Sequence, residues 1–220
     1  FKAQGHTDSA RAGAYAVPAN LTDKALFYDP QVGYHSVLVQ ADPTVQAYDF
    51  FTTDHVRYHF EIDPSAAPYG QSLALRFIED ADGNRLDLYY TNDVKLDARI
   101  AGLSAELRAK LDADASTLDV VSDMAGRALT FSYQRIFNDN RIIELEGYDP
   151  SSPSHNLLGL RVVYDYGQIS GSVGNLLNVT RMPTNGDDGR SESYTYTPGD
   201  ERDGHNLLTY TNASNQTTTY

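Results

Sequence analysis

The chain has 220 residues, with 30 acidic and 17 basic side chains and a net charge of −13. Such a surface repels phosphate backbones, which argues against nucleic acid and anionic membranes as partners. With no Cys, neither a disulfide framework nor a thiolate metal site is available. There is no Trp but there are 16 Tyr, with 16 Gly and 9 Pro as punctuation, a balance that points to an all-β protein.

Residues 1–25 are small and polar and read as an extended N-terminal arm. The start at Phe1, without Met, raises the expectation of a chain cut from a longer one. No apolar run approaches the length of a transmembrane helix. Residues 26–72 read as divergent lead-in strands. Tyr34, Ser36, Leu38 and Gln40 alternate with His35, Val37 and Val39, and Val45, Ala47, Asp49 and Phe51 alternate with Tyr48 and Phe50.

From residue 73 to 220 the pattern is internal repetition. A turn residue is followed by aromatic or apolar residues five and seven positions on. Gly83 leads to Leu88 and Tyr90, and Gly126 to Phe131 and Tyr133. Gly159 leads to Tyr164 and Tyr166, and Gly189 to Tyr194 and Tyr196. Asn215 leads to Tyr220, so the fifth unit is expected to run on past the last residue. Thr53, with Tyr58 and Phe60, looks like a degenerate earlier member. Each unit is expected to be an antiparallel hairpin: a strand, a turn such as Asp80-Ala81-Asp82-Gly83, and a second strand with both aromatics on one face. The exception lies between hairpins, where Leu96, Ile100, Leu103, Leu107 and Leu111 recur at steps of three and four. That spacing predicts an amphipathic helical insertion over about 96–112.

The phrases Asp80–Tyr90, Asp123–Tyr133, Asp188–Tyr196 and Asn212–Tyr220, with the Tyr164-Asp165 dipeptide, resemble Rhs/YD repeats. The resemblance covers roughly residues 45–220. It implies a curved sheet or shell segment built of hairpins, as in bacterial Rhs toxins, toxin-complex cocoon subunits, wall-associated proteins and teneurins. It implies a secreted or cell-surface scaffold, not an enzyme. The implied partners are further repeats, in cis or as a separate chain, and an enclosed or displayed toxin. The family's self-cleavage motif, built on Asp-Pro-x-Gly, has no counterpart: Asp42-Pro43, Asp63-Pro64 and Asp149-Pro150 all lack the glycine.

Other chemistry fares less well. His55 and His59, four apart on an expected strand, share a face, but about 13 Å between Cα atoms is too far for one metal ion. Asp80-Ala81-Asp82-Gly83-Asn84 opens like a calcium loop yet misplaces the glycine and lacks the final Glu. The segment Gly167–Gly174 has neither the order nor the Lys of a phosphate loop and reads as a connector. No nucleophile elbow occurs. Accordingly no catalytic residue, cofactor or metal is expected. The alternative reading is an adhesin or carbohydrate-binding module that stacks glycans on the Tyr rows.

Overall fold

The computed structural model describes residues 26–28, 36–42, 45–62, 73–90, 100–111, 117–136, 139–152, 156–167, 174–182, 189–197 and 206–220. The expected N-terminal arm, residues 1–25, lies outside them. The architecture is all-β and antiparallel, and the sheet does not close on itself. The residues group into two compact units. One runs to Ile100 and the other is mostly Gly126–Tyr220, with residues 101–125 shared out between them.

In the first unit, β1 (Leu26–Tyr28), β2 (Val37–Asp42), β3 (Val45–Phe51), β4 (Arg57–Ile62), β5 (Leu73–Glu79) and β6 (Arg85–Tyr90) form an antiparallel meander. One ladder crosses five strands through Val39, Asp49, His59, Phe77 and Asp87. Because side chains alternate, everything in register with it shares its face. Val37, Val39, Ala47 and Phe51 are buried on that face and form the local core.

β7 (Leu118–Asp123) carries the fully buried Val120 and Asp119, the latter accepting from the Thr117 hydroxyl at 2.7 Å. In the second unit β8 (Ala128–Ile136), β9 (Asp139–Tyr148), β10 (Asn156–Tyr166), β11 (Leu176–Met182), β12 (Arg190–Tyr196), β13 (Leu207–Thr211) and β14 (Thr217–Thr219) again pair in chain order. No described side chain of β11 to β14 is buried.

Within the described residues the expected helix is interrupted. Ile100 is helical, residues 101–104 are not, and α1 covers Ala105–Arg108. Two residues explain the break. Gly102 is a poor helix former, and the Ser104 side chain accepts from the Leu107 N–H, starting a helix at that point. Leu96 lies outside the described residues. The apolar stripe is still used, since Ile100, Leu103, Leu107 and Leu111 are all buried. Within the second unit α1 is tied to β9 by Lys110 Nζ to Glu146 (2.7 Å) and by the Tyr148 hydroxyl donating to Glu106 (3.1 Å).

Candidate functional site

The hairpin turns share one local geometry. At residues 80–83 the Gly83 N–H donates to the Asp80 carbonyl, and the Asp80 N–H donates to the Asn84 carbonyl. Gly83 sits at φ 81°, where a Cβ is disfavoured. The Asp80 carboxylate accepts from the N–H groups of Asp82 and Asn84, both at 2.9 Å. Residues 212–215 repeat this with Asn215 at φ 61° and the Asn212 side chain accepting from Ser214 and Gln216. At 123–126, Gly126 is at φ 80° and Asp123 accepts from Ala125. Asp80 Oδ1 thus serves its own turn's backbone and Oδ2 accepts from the Asn84 side-chain amide at 2.8 Å, the Asx role that turn chemistry assigns it.

The other turn positions differ from expectation. Gly159 is not in a turn. It lies inside β10, where the register with β9 shifts between Asn156 and Arg161, and a glycine within a strand commonly accompanies such an irregularity. Gly189 precedes β12 without a left-handed φ; a Cβ there would lie 3.0 Å from the Arg181 carbonyl oxygen and the Thr180 methyl. This close approach favours glycine at the position. In the earliest unit the left-handed residue is His55 (φ 63°), not Thr53, which puts Phe60 five positions on and Ile62 seven. His55 therefore stands exposed in a turn and shares no strand with His59. Gly174, read as part of a connector, is another left-handed residue (φ 78°). Its N–H donates to the Gly167 carbonyl, and the Gly167 N–H to the Asn175 carbonyl, closing β10 on β11.

Tyr90, Phe131, Tyr133, Tyr164, Tyr166, Tyr194 and Tyr196 are half-buried, while Tyr220 is 69 % exposed. Two of the hydroxyls have the same job. Tyr133 donates to the Leu118 carbonyl at 2.7 Å, and Tyr196 to the Leu176 carbonyl at 2.9 Å. Leu118 and Leu176 are each the first residue of the preceding strand, so each tyrosine ties its strand to the far end of its neighbour. Tyr194 packs on Tyr210 with ring centroids 5.4 Å apart, and its hydroxyl donates to Glu192 at 3.3 Å. Burial raises the Tyr194, Tyr196 and Tyr166 phenols above their ordinary range, so all three stay protonated near neutrality.

A second regularity concerns the pairing of one hairpin with the next. β4–β5, β8–β9, β10–β11 and β12–β13 each contain a one-residue register shift. The extra residue always sits on the later strand: Arg76, Ile143, Leu177 and Leu208. The partner just past it is always aromatic: Phe60, Tyr133, Tyr166 and Tyr196. A bulge sharpens local twist, so each of these shifts bends the strand pair that holds it.

The densest charged chemistry among the described residues lies on the core face of the first unit. Asp49 is fully buried, and Arg57 clamps it with two bonds, Nε to Oδ1 at 2.9 Å and Nη2 to Oδ2 at 3.0 Å. His59 Nδ1 lies 2.7 Å from Asp49 Oδ1, and its Nε2 lies 3.2 Å from Glu61 Oε1. The imidazole stacks on Phe77 at 4.5 Å and 14°. The guanidinium carbons of Arg57 and Arg85 stand 4.9 and 3.8 Å from the same ring centroid. Burial alone would push the Asp49 carboxyl up, but hydrogen bonds from His59 and Arg57 outweigh it, and the group titrates below the ordinary aspartate range. Burial would likewise lower His59, but its bonds to Asp49 and Glu61 raise it above the ordinary histidine value.

Sequence reasoning singled out His59 only as half of a weak metal pair and missed Asp49 and Arg57. A signal was present: Asp49 interrupts an otherwise apolar alternation, and Arg57, His59 and Glu61 alternate charge along the next strand. Among the described residues no cluster of His, Asp and Glu is arranged to hold a metal ion, and no helix is long and apolar enough to cross a membrane. Comparison with known proteins adds no relative: no protein-family model and no curated protein matches the chain.

Proposed function

We propose that the chain is a structural scaffold, a wall segment of the Rhs/YD kind that encloses or displays another domain. What supports this reading is a set of features that recur along the antiparallel sheet. A left-handed turn residue recurs, a tyrosine hydroxyl ties paired strands, and a bulge recurs where one hairpin meets the next. The Tyr133 and Tyr196 hydroxyls and the Asp80 and Asp123 carboxylates hold backbone groups, which suits a structural role. Stacked hairpins of this sort bury their faces only against neighbours, so further repeats are the natural partners. A secreted or surface location follows from the same reading.

The parent gene tests it. A scaffold of this type should be encoded with many further hairpin units and a separate domain to enclose or display. A gene carrying these units alone would sink the enclosure reading. The carbohydrate-binding alternative is favoured by one observation, the half-exposed Tyr194–Tyr210 pair. It requires glycan-array binding that Tyr194→Ala abolishes; absence of binding to any glycan leaves the scaffold.

A further inference from the structure

His59 is placed where only its protonated form fits. A neutral imidazole has one N–H and one bare nitrogen. Here both ring nitrogens face carboxylate oxygens, Asp49 Oδ1 and Glu61 Oε1. An ionised carboxylate only accepts, so both nitrogens must donate, and only the imidazolium does that.

The charges around it give the same answer. β3 brings Asp49. On β4 the neighbours are Arg57 and Glu61. β5 contributes Arg76, whose Nε is 3.6 Å from Glu61, and Glu79, 3.8 Å from Arg57. β6 adds Arg85 paired with Asp87 at 2.9 Å. On β2 the residue opposite Asp49 is the apolar Val39. Among the described residues Asp49, Glu61, Glu79 and Asp87 thus stand near Arg57, Arg76 and Arg85, with His59 between Asp49 and Glu61. Loss of its proton removes a positive charge 2.7 Å from the fully buried Asp49 carboxylate.

We propose that this network is a proton-operated clamp, in which the His59 imidazolium joins β3 to the Glu61 end of β4 and its deprotonation loosens β3–β4–β5. The sign follows from linkage. A base that titrates higher in the folded chain than in the unfolded one stabilises the fold fully below the unfolded value and loses that contribution as pH rises through the folded value. The ordinary histidine value is 6.5, so the clamp is closed in acidified surroundings and opens on the alkaline side of 6.5. This holds whether or not the chain is a wall segment.

Imidazole-nitrogen NMR on the full chain tests the clamp, together with hydrogen exchange of β3 and β4 at about pH 5.5 and about pH 8, corrected for intrinsic rate. The His59 midpoint should lie above the histidine midpoints of the urea-unfolded chain. Glu61→Gln, at a half-buried position that keeps the side-chain shape, should move it back toward 6.5. β3–β4 protection should fall from the lower pH to the higher, and fall less in Glu61→Gln. A midpoint at or below the unfolded value overturns the proposal. So does a midpoint that Glu61→Gln leaves in place, or protection that is equal at the two pH values.

Discussion

The ladder through Val39, Asp49, His59, Phe77 and Asp87 and the ladder through Asp165, Asn178, Ser193, Thr211 and Thr217 each cross five antiparallel strands. Their chemistry is opposite. The first carries a buried ionic network seated on Phe77 and flanked by buried Val37 and Phe51. The second is a row of small polar groups on a partly exposed face, with hydroxyl and amide contacts such as Thr211–Thr217 at 2.8 Å and Asn178–Asp165 at 3.2 Å. One backbone arrangement therefore supports two kinds of cohesion. Where the face is covered, a few charged residues hold several strands and the loss of one is felt by all. In β11 to β14 cohesion is spread over the backbone ladder, the turns and the tyrosine ties, so single losses are local.

The sharpest way to break this contrast is Asp49→Ala. Removing a buried carboxylate strands Arg57 and His59, and such losses cost about 3–5 kcal/mol. Urea unfolding should show a loss of that size, with protection lost first in β3 to β5. Thr211→Val, on the other ladder, should change stability by less than about 0.5 kcal/mol, as surface substitutions usually do.

Smaller effects test the turns and ties. Gly126→Val forces a branched residue into left-handed backbone and should cost about 1–2 kcal/mol in thermal or chemical unfolding. Tyr196→Phe removes a tie to the Leu176 carbonyl and should cost about 1 kcal/mol. Tyr194→Phe, whose hydroxyl makes only the longer bond to half-buried Glu192, should cost less in the same assay. Lys110→Ala breaks a pair that is 45 % exposed on the lysine side, and solvent screening should hold its effect below about 0.5 kcal/mol.

Titration separates the regions again. Asp49, depressed in the fold, contributes stability above its ordinary value of 3.8 and loses it as pH falls below that value. His59, raised in the fold, contributes below 6.5 and loses its contribution above. β3–β5 should therefore be most protected between these values. Around the second ladder no comparable charge network exists among the described residues, and protection in β12–β13 should be flatter across the same window.

Much of the fold was legible because it rests on short-range rules. Alternation marked the strands, and Asp-x-x-Gly marked the turns at Gly83 and Gly126. Glycine alone was ambiguous: Gly159 serves a strand irregularity, Gly189 a close approach, and Gly174 a turn that composition presented as a connector. The break at Gly102 and Ser104 is invisible to spacing, which reports which residues are buried and not where the backbone turns. The ionic network was hardest to see. It depends on register, which sets Asp49 opposite His59 and His59 opposite Phe77, and register arises from turns and bulges acting together.

Three-dimensional reconstruction of the full-length natural protein by electron microscopy tests the scaffold reading most directly. The account predicts further hairpins continuing in sequence order from β14, bulged at each junction, in a curved wall around or beside a separate domain. A compact structure in which these hairpins enclose and display nothing would contradict it.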